Sequence, residues 1–258
     1  MALQSISIGT TANDGTGTNL REAFDICNDN FTEVYSSGTA ALAYKLEGTN
    51  FTGSLLVGHS TTGTISSAEY NTGIGISTLD ALTSGDRNVA VGALAGTNIS
   101  SGGSNTLVGS NAGDALTTGS HNIAIGHNAL GAEDGNGRNV AIGYQALLVQ
   151  NAGADAYNIA IGYNTGVAVS TGIRNIIIGA EAGDALTTGD YNVAIGHEAL
   201  STEDAHGRNV AIGYRALRDM DAGTDAYSVA IGYLAGENIT TGIRNVLIGG
   251  LAGDALTT

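Results

Sequence analysis

A five-residue motif that returns at a nearly constant interval is the strongest constraint on the fold of this chain. The motif reads Asn, apolar, small, β-branched, Gly, as in "NVAIG" at residues 139–143. Its twelve copies begin at Ser54, Asn71, Asn88, Asn105, Asn122, Asn139, Asn158, Asn175, Asn192, Asn209, Ser228 and Asn245. The residue number rises by 17 from one copy to the next, and by 19 only after Asn139 and Asn209. So regular a pattern predicts a solenoid in which each copy contributes one coil.

Alternation within each motif predicts a short β-strand with two different faces. Val140 and Ile142 share one face, whereas Ala141 and Gly143 share the other. We expect the branched face to fill the inside of the coil and the small face to meet the backbone of another chain. The alanines predicted to form this trimer interface are Ala90, Ala124, Ala141, Ala160, Ala194, Ala211 and Ala230.

A second pattern predicts how each coil is filled. Coils that read Ala-Gly carry a branched residue three positions later, as in Gly113 and Leu116. Coils that read Ala-Leu carry a polar residue there, as in Leu130 and Glu133, so one large apolar side chain comes from either of two places. The coil that begins at Asn71 breaks this rule, because it carries both Leu79 and Leu82. The two coil types alternate in pairs and give a longer repeat of four coils, which begins at Asn105 and again at Asn175.

Composition and charge exclude several classes of protein. The 258 residues include 40 Gly, no Pro, no Trp and 3 Phe, so the core must be built from Val, Ile, Leu and Ala. The formal net charge of -15 disfavours binding to nucleic acid and to anionic membranes. The single Cys27 cannot form an internal disulfide. The sequence shows neither a secretion signal at its start nor an apolar stretch long enough to span a bilayer.

The region before the repeats has a different character. Residues 1–18 predict an extended arm, and a helix is predicted from Asn19 to about Tyr35. Apolar residues at alternating steps of four and three form a predicted coiled-coil seam between subunits, made of Leu20, Phe24, Cys27, Phe31 and Val34. The predicted organisation is therefore an attachment arm and trimerising helix at 1–35, a linker at 36–53, and a twelve-coil shaft at 54–258.

Stacked coils turn single positions into ladders of side chains. The residue before each motif alternates between Arg and Tyr over most of the chain, as at Arg138, Tyr157 and Arg174. The residue after each motif is often His or Tyr, as at His127 and Tyr144. We interpret both ladders as structural, because a guanidinium over a tyrosine ring is favourable, and leave a sugar-binding strip as the alternative.

Candidate metal and catalytic groups are few. The loop acids Glu133, Asp134, Glu203, Asp204, Asp155, Asp219, Asp221 and Asp225 could hold Ca²⁺, but they lack the spacing of calcium-binding β-roll repeats, so we interpret them as solvated surface acids. His59 and His206 show no partner in the sequence. The repeat does not divide into the hexads of β-helix acyltransferases, and no carboxylate pair recurs in the strands as a tailspike depolymerase would need. We therefore expect no catalytic residue, no cofactor and no metal.

Two segments resemble known families. The opening "SIGTTANDGTGTNLREAFDICNDNFTEVY" resembles an N-terminal module of bacteriophage tail fibres and other virion appendages, including those of marine cyanophages. The "NVAIGYQAL" repeats resemble phage fibre shafts and, more loosely, the "SVAIG" repeats of trimeric autotransporter adhesin heads. This resemblance implies a left-handed parallel β-roll in a parallel homotrimer.

The sequence thus predicts an all-β, parallel β-solenoid with a short N-terminal helix and a structural function. The expected role is the proximal shaft of a phage tail fibre or virion appendage, assembled in the host cytoplasm and attached to the tail, baseplate or an adaptor through residues 1–35. The alternative is a receptor-binding or adhesin stalk that recognises cell-surface glycans. Because the chain stops partway through a coil at Thr258, we also expect the native fibre to continue beyond it.

Overall fold

The predicted strands are present in a computed structural model, which describes residues 44–45, 52–57 and 66–258. Every motif copy forms a three-residue strand, and no helix occurs in these ranges. The strands are β1 (Tyr44–Lys45), β2 (Leu55–Val57), β3 (Thr72–Ile74), β4 (Val89–Val91), β5 (Thr106–Val108), β6 (Ile123–Ile125), β7 (Val140–Ile142), β8 (Ile159–Ile161), β9 (Ile176–Ile178), β10 (Val193–Ile195), β11 (Val210–Ile212), β12 (Val229–Ile231) and β13 (Val246–Ile248).

The strands form one sheet in which the spatial order is the order along the chain. From β2 to β13 all pairs are parallel and in register, so that Ala141 of β7 lies opposite Ala160 of β8 despite the longer coil between them. β1, which lies within the predicted linker, pairs antiparallel with β2. The described part of the chain is therefore a parallel β-solenoid of about eleven turns with a short antiparallel strand at its start.

From Asn71 to Asn209, the asparagine that opens the motif is buried and joins one coil to the next. The Asn71 Oδ1 accepts a hydrogen bond from the backbone N–H of Asn88 (2.9 Å), and the Asn88 Oδ1 accepts one from Asn105 (3.1 Å). The Asn88 Nδ2 also donates to the carbonyl of Gly102 within its own coil (2.9 Å). Because a buried amide is costly without partners, this ladder explains why the motif begins with asparagine.

From Gly75 to Gly232, the glycine that ends the motif allows neighbouring coils to approach closely. Gly143 has φ +136°, and a Cβ at this position would lie 2.0 Å from the carbonyl oxygen of Gly162 in the next coil. The close backbone approach predicted for the small face is therefore real, but it occurs between coils of one chain.

The assignment of the two strand faces was wrong. The middle residue of the motif lies inside the coil, and the branched residues on either side of it face outward. The alanines predicted to form a trimer interface are each 0 % exposed within the single chain, namely Ala90, Ala124, Ala141, Ala160, Ala194, Ala211 and Ala230. A side chain enclosed by its own coil is not available to a second chain.

The narrow interior explains this reversal. A Cβ on Gly96 would lie 2.7 Å from the Leu107 Cδ1 of the next coil and 2.9 Å from the Ile99 Cδ1 of its own. Leucine and isoleucine side chains that reach in from other sides of the coil thus already occupy the lumen. In the exceptional coil that holds both Leu79 and Leu82, the motif has Gly73 in the middle position, where a Cβ would lie 2.5 Å from the Leu56 Cδ2.

Several predictions lie outside the described residues. They concern residues 1–35, including the seam of Leu20, Phe24, Cys27, Phe31 and Val34, and they stay predictions. In the part of the chain that the structure describes, no helix has the length and apolar character needed to cross a membrane.

Candidate functional site

The outward side of the sheet carries two parallel ladders of aliphatic side chains, which we call the aliphatic face. The face consists of the second and fourth residues of every motif, so each of the strands β2 to β13 contributes two side chains. Threonine occurs at Thr72 and Thr106, the other residues are Val, Ile or Leu, and no residue of the face is charged. With strands about 4.8 Å apart, the face extends for about 53 Å along the solenoid.

The side chains of this face are partly or fully exposed to solvent in the single chain. Ile123 and Ile125 on the interior strand β6 are 37 % and 36 % exposed, and Ile161 on β8 is 36 % exposed. Isolated apolar residues on a protein surface are ordinary, but a contiguous apolar strip of this length marks an interaction site. Sequence periodicity identified these residues as a common face but placed that face inside the coil.

A ladder of Arg and Tyr borders one edge of the aliphatic face. The Arg174 guanidinium lies 6.0 Å from the ring centroid of Tyr157 and 5.4 Å from that of Tyr191. Arg208 is placed in the same way between Tyr191 and Tyr227. The predicted alternation of cation and ring is therefore confirmed, and most ring faces in this ladder are covered by guanidinium groups.

A ladder of His and Tyr borders the opposite edge. His127, Tyr144 and Tyr163 stack in series with centroid distances of 5.6 and 5.3 Å and interplanar angles of 11°. His197 stacks on Tyr214, and Tyr214 on Tyr233, with the same arrangement. Because a sugar binds an aromatic residue through the face of its ring, these stacks leave open only the faces at their ends.

The loop acids divide into three groups, and only one group matches the prediction of solvated surface acids. Asp134, Asp204 and Asp221 are exposed. Asp155, Asp225 and Asp219 form ion pairs with arginines, in the pairs Arg138–Asp155, Arg208–Asp225 and Arg218–Asp219. Glu133 and Glu203 are fully buried, so the prediction was wrong for them.

The buried glutamates occupy the same place in their coils as Gln150, which lies in the coil after that of Glu133. Each glutamate accepts a hydrogen bond through its Oε1, from the backbone N–H of Asn136 at Glu133 and from that of His206 at Glu203, both at 3.1 Å. The Oε2 atom of each has no hydrogen-bond partner. Burial raises the pKa of both carboxyl groups above the ordinary glutamate value. The prediction that His206 has no partner was also wrong, because its backbone N–H donates to Glu203; its Nδ1 lies 3.4 Å from the Glu203 Oε1 but makes no hydrogen bond.

A network of ion pairs lies beyond the His and Tyr ladder in the later coils. The Arg215 Nε lies 2.6 Å from the Glu198 Oε2, and the Arg218 Nη1 lies 2.5 Å from the Glu237 Oε1. Hydrogen bonding to Arg218 lowers the pKa of the Asp219 carboxyl. The acids that belong to this network are compensated by arginine.

Comparison of the chain with family models, with curated proteins and with solved structures gave no match. Function is therefore inferred from the geometry of the described residues.

Proposed function

We propose that this chain is a structural protein whose solenoid associates laterally with further copies of itself through the aliphatic face. In this proposal three parallel chains form the shaft of a phage tail fibre or related virion appendage, and residues 1–35 attach it to the particle. The observation that supports it best is the uncharged, solvent-exposed aliphatic face along the sheet.

The period of the face favours a second copy of the chain as its partner. The face repeats at every strand, about 4.8 Å apart, over the full sheet. A partner that covers it along its whole length must present apolar side chains with the same spacing, and another copy of this solenoid does so. The lack of charge on the face also fits the centre of a permanent interface, where charged residues are depleted.

The number and direction of the copies come from the sequence. The resemblance to trimeric adhesin heads implies three parallel chains, and the predicted helical seam at Leu20, Phe24, Cys27, Phe31 and Val34 would align the chains at one end. The aliphatic face carries no charged residue, so its burial in a trimer does not bury any of the acids that give each chain its net charge of -15.

A receptor-binding stalk for cell-surface glycans is the second candidate. It is favoured by the exposure of Tyr163 (52 %) and Tyr233 (57 %), which end the two aromatic stacks. Each has one ring face against its tyrosine neighbour, and the next ladder positions hold Ala180 and Gly250, which have no ring. Glycan-array binding that is lost in Tyr163→Ala and Tyr233→Ala would support this function.

Sedimentation of the full chain and of matched variants tests the assembly. We expect the wild type to sediment at about three times 25.8 kDa. The double variant Ile125→Glu with Ile161→Glu places two charges on the aliphatic face and is expected to sediment as a monomer with unchanged circular dichroism. Thr171→Glu, at an exposed position in a turn, is the control and should assemble as the wild type does. A wild-type monomer, or assembly of the double variant, would contradict the proposal.

Antibody labelling tests the role in a virion separately. Antibodies against the full chain are expected to label an appendage of purified virus particles close to its attachment point. Labelling of a cell surface in preparations without particles would favour the adhesin stalk.

A further inference from the structure

We propose that Glu203, Asp204, His206 and Asp221 form a binding site for one divalent metal ion of the Zn²⁺ class. The site is independent of the aliphatic face. Each of these residues offers a ligand atom, and the four atoms all lie within 4.8 Å of one another. Three of the ligands are carboxylates and the fourth is an imidazole.

The buried glutamate points to a ligand. Glu203 is 0 % exposed, and its Oε2 has no hydrogen-bond partner, although a buried carboxylate oxygen ordinarily has one. The Nδ1 of His206 is also without a hydrogen-bond partner and lies 3.4 Å from the other oxygen of the same carboxylate. A metal ion would satisfy both atoms at once.

Within the described residues, no lysine or arginine forms an ion pair with Glu203, Asp204 or Asp221. Among the described residues, the nearby arginines pair with other acids, Arg208 with Asp225 and Arg218 with Asp219 and Glu237. A divalent cation would compensate the charge of the carboxylates that converge here.

The backbone holds the ligands from two successive coils. The Asp204 carbonyl oxygen accepts a hydrogen bond from the Thr187 hydroxyl of the preceding coil (2.7 Å). The Asp221 N–H donates to the carbonyl of Thr240 in the following coil (2.8 Å). Because Asp221 belongs to the coil after the one that holds the other three ligands, a bound ion would link these two coils.

The equivalent place in the preceding four-coil repeat provides an internal comparison. It holds Glu133, Asp134, Asn136 and Asn151. The buried glutamate and its hydrogen bond from the residue three positions later are the same, but amides replace the imidazole and the third carboxylate. The later copy therefore differs at two positions, and both differences supply a metal ligand.

The ligand set selects the class of ion. Imidazole nitrogen with carboxylate oxygens suits Zn²⁺ and similar transition metals, whereas Ca²⁺ and Mg²⁺ prefer oxygen ligands alone. The other group with this kind of composition among the described residues is Glu181, His197 and Glu198. There Arg215 already compensates Glu198, with 2.6 Å between the charged atoms, so that group is not proposed as a site.

Equilibrium dialysis of the full metal-free chain against Zn²⁺ tests the site. We expect one ion per chain in the wild type and at least a tenfold loss of affinity in H206N/D221N, which copies the earlier unit. The reverse exchange, N136H/N151D, should add a second ion per chain. H197N is the control and should bind as the wild type does, and circular dichroism checks that every variant is folded.

The outcomes separate this site from adventitious binding. Absence of Zn²⁺ binding to the wild type, or equal binding by H206N/D221N, would overturn the proposal. Loss of binding in H197N alone would also overturn it, because the ion would then lie at the other group. If Ca²⁺ bound more tightly than Zn²⁺ and H206N left the affinity for Ca²⁺ unchanged, the imidazole would be excluded as a ligand. That result would overturn the assignment of the ion class.

Discussion

The two four-coil units of the solenoid, residues 105–174 and 175–244, have the same arrangement of strands and coils but different side chains on the surface. In each unit, the two middle coils have a buried leucine in the turn after the strand, and the first and last coils have a glycine at that place. Each unit also contains one longer coil. At the turn after each strand, however, Asn128 and Gln145 of the first unit correspond to Glu198 and Arg215 of the second, which form an ion pair. The features that build the coils are thus shared, whereas the side chains at the outer corners differ between the units.

The largest expected effect concerns a feature common to both units. Gly143→Ala and Gly213→Ala place a Cβ 2.0 and 2.2 Å from the carbonyl oxygen of the next coil, at φ +136° and +135°. We expect each to lower the free energy of unfolding by about 3 kcal/mol, from backbone strain and overpacking. Gly153→Ala, with φ +68° and open space around the Cβ, should cost only about 1 kcal/mol. Urea unfolding measures all three. A marked difference in the loss of unfolding free energy between Gly143→Ala and Gly213→Ala would contradict the claim that the two units have the same contacts between coils.

A smaller difference in unfolding free energy is expected between the common shorter coils and the two longer coils. The Asn175 Nδ2 donates to the Gly189 carbonyl (2.8 Å), whereas the Asn209 Nδ2, in a longer coil, has no hydrogen-bond partner. Both asparagines accept a hydrogen bond from the next coil through Oδ1. We expect Asn175→Ala to cost about 1 kcal/mol more than Asn209→Ala, because only the first leaves a buried carbonyl unpaired. Equal losses in urea unfolding would show that the asparagine side chains stabilise the two coil lengths alike.

The buried glutamate of the first unit predicts a dependence of stability on pH. Burial raises the pKa of Glu133 in the folded state above its ordinary value of 4.5, so the folded chain binds the proton more tightly than the unfolded chain. The contribution of this group to stability is therefore complete below pH 4.5 and is lost as the pH rises through the folded pKa. Glu133→Gln should remove this part of the dependence, since Gln150 occupies the same position in the next coil. Thermal melts between pH 4.5 and 8 measure it, and Gln150→Glu should increase the dependence.

The smallest effect is expected at the surface network of the second unit. Arg215→Gln restores the residue type found at Gln145 and removes the ion pair with Glu198. The two side chains are only partly buried, 32 % and 21 % exposed, and ion pairs near the surface contribute little and are screened by salt. We therefore expect a small fall in Tm at low salt that vanishes at about 1 M NaCl. A large, salt-independent fall would mean that Arg215 stabilises the fold through packing.

The sequence predicted the strands well because each copy of the motif contains the residues of one strand and marks where it begins and ends. The motif at 139–143 contains β7, and all twelve copies contain a strand. It did not predict which face lies inside, because alternation defines two faces and the volume of the lumen decides between them. That volume is set by residues such as Leu107 and Ile99, which reach in from other parts of the coil or from the coil next to it.

Other features had no local signal in the sequence. The turns place Arg138, Gln145 and Leu147 at positive φ, a conformation that glycine and asparagine adopt more readily. Contacts between successive coils stabilise these turns, and composition does not reveal such contacts. The grouping of Glu203 and His206 with Asp221 likewise depends on the register between two coils of different length. The sequence signal that could have indicated this grouping is the comparison of the two units, because His206 and Asp221 of the second replace Asn136 and Asn151 of the first.

The central claim is that the aliphatic face, and not the alanine face, meets other copies of this chain. Cryo-electron microscopy of the assembled full chain tests it most directly. We predict three parallel solenoids with Ile125, Ile142 and Ile161 facing the common axis and Ala141 enclosed within each coil. A single solenoid with the aliphatic face in water, or copies that meet through another surface, would contradict the claim.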